Sequence, residues 1–257
     1  MRSQIKPNDR LKRSLIKYFW KHGKRVLTEI QQPVVELADK IDSRDLKQRI
    51  ATLLRPDAVE RYIIDTWVQS GSISAMDMIR QVERLSKKQG EQLSFWEDKY
   101  KTYIRQRSAA KVGAIMDTQD RAINEVIDGV LNQAATEGWG ADKTGRILRS
   151  EIESQMATIN NYQAERIART EVGSAYNTGS FDAMKEMEVA ASKFWLTSGL
   201  PGIRATHLEY EALGDVDIDY EYAEGLMYPQ DPNGSPEEII NCRCTPIYNI
   251  EGETGIE

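Results

Sequence analysis

Apolar residues recur at helical spacing through the first half of the chain. Leu11, Leu15, Tyr18 and Phe19 follow an i, i+4, i+7, i+8 pattern with Lys and Arg between them, which is one apolar stripe on an otherwise charged helix. Pro33 interrupts this pattern. Asp42 or Ser43 is placed to cap a short helix reaching Leu54, and Pro56 suits the first turn of a helix over 57–69. Ser72 or Ser74 is placed to cap a further helix to Lys88. Gly90 punctuates, and 91–136 reads as one long helix or two, with Gly113 a point of weakness. Phe95, Tyr103, Ile104, Ile115, Ile123, Val126, Ile127, Val130 and Leu131 keep one face apolar along it. Aromatics and aliphatics at such spacing are core residues and specify no chemistry.

Past Thr136 the pattern changes. Residues 1–137 hold five Gly and three Pro, whereas the shorter span 138–257 holds twelve Gly and five Pro. Gly138-Trp139-Gly140 is therefore the expected boundary between a helical N-terminal region, 1–137, and a small mixed domain, 138–257. In the latter, Asp142 is placed to cap a helix through Glu153, and a second helix runs over about 158–189. Lys193–Ser198 is short, contains Phe and Trp, and precedes Ser-Gly-Leu-Pro-Gly, as a strand ending in a turn does. Thr245–Ile250 suits a strand paired with it, and Pro246 confines that strand to an edge or a strand start. Asp231-Pro232-Asn233-Gly234 is a turn. The expected fold class is α+β, predominantly α, with an extended helical N-terminal region and a short sheet near the C-terminus.

Composition narrows the classes. No run reaches the roughly 18 apolar residues of a membrane span. The start shows Lys or Arg every two or three positions rather than a secretory leader, so a cytosolic start is expected. The two cysteines, Cys242 and Cys244, are too close in sequence to suggest a disulfide framework. The net charge of −6 conceals polarity along the chain. Residues 1–30 carry nine Lys/Arg against two acids, a net +7, and residues 201–257 carry two Arg against thirteen acids, a net −11. Arg10, Lys12, Arg13, Lys17, Lys21, Lys24 and Arg25 are the candidate contacts to DNA phosphates or to an acidic protein surface; a solvated face is the alternative.

Four features then occur in order. The first is Arg166-Ile-Ala-Arg169-Thr170-Glu171, followed by Ala175 and Asn177. The second is Trp195, and the third is Arg204-Ala-Thr-His207 after Pro201-Gly202. The fourth is Tyr228-Pro229-Gln-Asp231-Pro232, leading to Glu238-Ile-Ile-Asn241-Cys242-Arg243-Cys244-Thr245. This order over about 138–250 resembles the Mu F-like head-morphogenesis family of tailed bacteriophages. The chain departs from the family pattern in two places. Glu237-Glu238-Ile239-Ile240 stands where members often have a His-Pro pair, and Leu213-Gly214 keeps only the Gly of a usual Asp-Gly. The resemblance implies a minor, non-enzymatic head protein in the capsid interior. Such a protein associates with the portal, acts in head assembly and in genome packaging or ejection, and is made in the host cytoplasm. It also implies contact with packaged double-stranded DNA, scaffolding or major capsid protein as further options, and no membrane partner. Related domains occur fused to effector modules. An effector or an enzyme depending on zinc or cysteine is thus the alternative, and a general helical DNA-binding protein a third; no such module follows Cys244 in this sequence.

The candidate chemistry is sparse. Arg166 and Arg169, spaced i, i+3, share a helix face, whereas Glu171 points elsewhere, so Arg169 or Glu171 is expected to bond across to the segment 195–245. Phosphate binding by Arg169 is the functional alternative. His207, Cys242 and Cys244 are the soft-ligand cluster, suited to zinc with water or a carboxylate as fourth ligand. Against this, Cys-x-Cys places its side chains on opposite faces when extended, and the other reading is two small packing cysteines with His207 and Arg204 hydrogen-bonded. His22, in the basic helix, is a poor fourth ligand. A Cys–His nucleophile pair matches no protease signature. Glycine-rich phosphate loops and H-E-x-x-H are absent, and the acids of 209–224 lack the spacing of an EF-hand loop.

Overall fold

The structure, a computed structural model, describes residues 12–17, 21, 56–86 and 89–250, with the side chains of 86, 119, 141–142 and 155–161 outside the description. Three long helices, α1 (Pro56–Ser86), α2 (Leu93–Glu137) and α3 (Ala141–Glu186), lead into a small sheet-bearing segment. That segment contains β1 (Ala191–Leu196), α4 (Ala205–Ala212), β2 (Val216–Asp217), α5 (Pro236–Ile239) and β3 (Thr245–Ile250). The fold is thus α+β and predominantly helical, as the sequence pattern predicts. The expected helix to Leu54, with its cap at Asp42 or Ser43, lies outside the described residues, as do Arg10, Lys24 and Arg25.

The helices are fewer and longer than the pattern predicts. The break expected between 57–69 and a helix capped by Ser72 or Ser74 does not occur, because the small residues there are a contact surface rather than a stop. Ser70, Ser72 and Ser74 are buried at 2%, 1% and 2% exposure. A Cβ on Gly71 would lie 2.9 Å from the Tyr100 ring, and one on Gly179 would lie 2.2 Å from the carbonyl oxygen of Gly71. The two helices expected at 142–153 and 158–189 are likewise one, since neither Gly nor Pro occurs between Gly145 and Gly173. Helix α2 passes through Gly113 unbroken. It ends where expected: Gly138 adopts φ 66°, and the Trp139 N–H reaches back to the Ala134 carbonyl at 2.9 Å, a left-handed glycine stop that satisfies an orphan acceptor.

The chain divides into two compact units that interleave in sequence, with boundaries at 11/12, 62/63, 106/107 and 165/166, and the helix stop at Gly138 falls within the unit containing 107–165. In the unit containing 107–165, the i, i+4, i+7 set Ile123, Ile127 and Val130 packs on Leu148 and Ile152, an aliphatic seam between α2 and α3. There Leu15 is fully buried, and Lys12 bonds Glu165 at 3.0 Å.

In the unit containing 63–106 and 166–250, Trp96 and Tyr100 from α2 pack with Ala75, Ile79 and Val82 of α1, with Ala183 and Met184 of α3, and with Met187 just past its end. A second cluster joins Trp195, Tyr222, Leu226, Cys242 and Cys244. The sheet order is β2-β1-β3, all antiparallel, with Trp195 opposite Pro246 and Lys193 opposite Tyr248. β3 is an edge strand, which is where a strand carrying Pro246 can sit. No helix among the described residues is long and apolar enough to cross a membrane.

Candidate functional site

The residues of the four sequence features meet around the segment 229–244, which α3 holds from one side and α4 with Trp195 from the other. Arg169 on α3 donates from Nη1 to Asn241 Oδ1. Its neighbour Thr170 accepts from the Asn241 N–H at 2.9 Å while donating to the Arg166 carbonyl at 2.9 Å. Asn241 is held on both sides in a left-handed conformation, φ 63°, which Asn tolerates better than most residues. Two turns on, buried Asn177 donates through Nδ2 to the carbonyls of Pro229 (2.8 Å) and Cys244 (3.3 Å). A side-chain amide thus satisfies backbone acceptors that no strand ladder covers.

The bond expected across from Arg169 or Glu171 is made by Arg169, while Glu171 meets α1. Its buried carboxylate accepts from Trp67 Nε1 on α1 at 2.7 Å, because a residue two positions from Arg169 faces the neighbouring helix. Arg166 is exposed and contributes its carbonyl; Arg243 is exposed at the rim. Arg169 and Arg243, with Tyr176, Gln230, Cys242 and Cys244, line a cleft of about 320 Å³.

Trp195 is fully buried, with His207, Tyr210 and Tyr222 at 4.9, 5.0 and 4.9 Å between ring centroids, each near edge-on. This edge-to-face arrangement is the favoured one for aromatic quadrupoles. Arg204 caps the closing segment by donating from Nη2 to the Ile240 carbonyl at 2.6 Å. His207, on α4, is 1% exposed, and its Nε2 lies 2.8 Å from Glu238 Oε2. Glu238 also accepts from Thr206 Oγ1 at 3.2 Å.

The other imidazole nitrogen, Nδ1, faces both thiols, 3.6 Å from Cys242 Sγ and 3.4 Å from Cys244 Sγ. The expectation that Cys-x-Cys points its side chains apart fails because 241–244 is not extended. The chain turns at Asn241, and the Cys244 N–H folds back onto Cys242 Sγ at 3.3 Å. Both cysteines are buried and unpaired. A hydrogen bond from Cys242 lowers the Cys244 thiol to about 5, with help from His207 and the nearby Trp195 indole. Its partner Cys242 is pushed up by that same pairing and by burial.

Three further residues serve the site, and of them Lys193 alone lies outside every motif singled out in the sequence. Glu238 lies in the stretch that departs from the family pattern, yet it holds His207. Lys193 is a buried lysine on β1 whose Nζ donates to the carbonyls of Ile218 (2.7 Å) and Tyr220 (2.6 Å), and burial pulls it down to about 8. Asp231 accepts from the N–H groups of Met227 and Asn233 at 3.1 and 3.0 Å, organising the expected turn, which closes through Gly234 N–H to the Asp231 carbonyl. Burial raises its carboxyl, and those N–H groups oppose the shift. The acids of 209–224 are divided among α4, β2 and the turns around them rather than wrapped round one point. Among the described residues, the only group of His, Cys or acidic side chains able to converge on one ion is His207, Cys242 and Cys244.

No protein-family model matches the chain, and no curated protein or solved structure matches it.

Proposed function

We propose that the chain is a minor head protein of a tailed bacteriophage, non-enzymatic, lying inside the capsid near the portal and acting in head assembly and in genome packaging or ejection. One observation carries this reading. The motifs that resemble the Mu F-like family, spread over 166–244, meet at one place as a set of fold-locking contacts. Arg169 and Thr170 grip Asn241, Asn177 grips the backbone at Pro229 and Cys244, and Trp195 backs His207. Residues at such separations have no local reason to recur in that order, and their common use is to clamp a terminal segment onto a helix. Most of these side chains are spent on one another, as in an anchoring domain.

Contact with the portal, or with DNA, falls to the basic N-terminal residues. Lys12 is engaged by Glu165, while Arg13, Lys17 and Lys21 are exposed and helical. Co-expression of the full chain with the portal protein of its own phage tests the reading. The expected result is one assembly that co-purifies at moderate salt and weakens when Arg13, Lys17 and Lys21 are changed together to Glu. No association, with the protein missing from purified virions, overturns it. Deleting 1–137 is not a usable variant, because 63–106 share a core with 166–250.

A further inference from the structure

We propose that His207, Cys242 and Cys244 bind one zinc ion, with Glu238 orienting the histidine. This inference rests on the geometry of the cluster and is independent of the head-protein reading.

Ligand spacing is the first argument. Zn–S and Zn–N bonds of about 2.3 and 2.05 Å at a tetrahedral angle place sulfur and nitrogen about 3.5 Å apart. The two S···N separations here are 3.6 and 3.4 Å, and all three donor atoms lie within 4.8 Å of one another. The donor set is also chemically coherent. Two thiolates and one imidazole are the soft and borderline ligands that zinc takes in tetrahedral sites.

The surrounding shell is the second, independent argument. A zinc-bound histidine characteristically donates its remote N–H to a carboxylate, which fixes the ring and its tautomer. His207 has this arrangement: Nδ1 faces the thiols, and Nε2 lies 2.8 Å from Glu238 Oε2. The Cys244 N–H directed at Cys242 Sγ is the matching support for a thiolate ligand. Packing alone asks for none of this, since a cysteine used as a small apolar residue needs no histidine nitrogen aimed at it. Trp195 shields one side, and the cleft bordered by both cysteines offers the ion a route in and room for water as fourth ligand. The ion would pin the segment leading into β3 onto α4.

The test uses the full chain purified from zinc-supplemented medium, with metal content measured by mass spectrometry. One zinc per chain is expected. Replacement by Co²⁺ should give the visible bands of a tetrahedral site and a near-ultraviolet thiolate band. His207→Asn and Cys244→Ser should each abolish stoichiometric binding. Glu238→Gln should keep the site with affinity reduced about 10–100-fold. Because ligand variants can fail to fold, the native chain supplies a second reading. Zinc should slow the reaction of both thiols with a thiol reagent, and a chelator should restore it. Substoichiometric metal, or thiols that react equally with and without zinc, overturns the proposal.

Discussion

The two compact units of this chain are held together differently. In the unit containing 166–250, hydrogen bonds join residues far apart in sequence: Thr170 to Asn241, Asn177 to Pro229 and Cys244, Tyr228 to Thr178, Trp67 to Glu171. Its large buried side chains include Trp67, Trp96, Trp195 and Tyr100. Among the described residues of the unit containing 107–165, Lys12 reaches Glu165 and Ser108 reaches Glu60, but along α2 the side-chain bonds close a single helical turn, as from Thr118 to the Ala114 carbonyl and from Thr136 to the Asn132 carbonyl. Its core there is an aliphatic seam. The first kind of architecture concentrates stability in residues that cannot be exchanged one at a time. The second spreads it over a repeated pattern, in which each exposed bond contributes little.

The largest effect that would sharpen this contrast is at Trp195. Trp195→Ala leaves a cavity beneath three aromatic rings and should cost about 4 kcal/mol, read from the denaturant midpoint. Amide protection in β1 and β3 should fall with it. Equal loss of protection across 123–131 would break the contrast.

Next come the two glycines of α3. A Cβ at Gly179 meets the backbone oxygen of Gly71 at 2.2 Å, whereas one at Gly173 meets the side-chain end of Gln230 at 2.0 Å. Backbone cannot step aside as a side chain can. Gly179→Ala should therefore cost about 3 kcal/mol and Gly173→Ala about 1 kcal/mol, the lower end of overpacking penalties. Similar midpoints for the two would contradict the close helix approach at Gly71.

Asn177→Ala strands two buried carbonyls and should cost about 2 kcal/mol. Its counterpart in the other unit, exposed Thr118→Ala, should stay within about 0.5 kcal/mol. A Thr118 variant as damaging as the Asn177 one would show that turn-closing bonds matter more than the comparison allows.

The last effect is a slope in pH. Burial holds Lys193 at about 8, below the ordinary lysine value of 10.5. Between those values the unfolded chain binds the extra proton, so stability rises with pH through about 8 to 10.5, and the full cost is present below 8. The two carbonyl partners favour the ammonium and moderate the cost, leaving a rise of about 2 kcal/mol. Lys193→Met should flatten the wild-type slope in denaturation curves at pH 8 and pH 10, and an unchanged slope would assign it to other groups. Tyr222, raised from 10.0 to about 12 by burial, works in the opposite sense from about pH 10 upward.

Much of the architecture was legible in the chain, because it depends on local rules. A period-3.6 pattern, a left-handed glycine at Gly138 and a proline-bearing edge strand at 245–250 each follow from backbone geometry and solvent exposure alone. The helix break expected at 70–74 does not occur because the same small residues serve as punctuation in one setting and as a contact surface in another. Only the neighbour, Tyr100 or Gly179, decides which. The site divides the same way. Its residue types and their order could be read, and so could the prospect of Arg169 crossing to the closing segment. The convergence of Cys242 and Cys244 on one nitrogen of His207, the Glu238 carboxylate behind it and the burial of Lys193 were settled by the tertiary structure. Each depends on where segments separated by 25 or more residues meet, and no periodicity records that meeting.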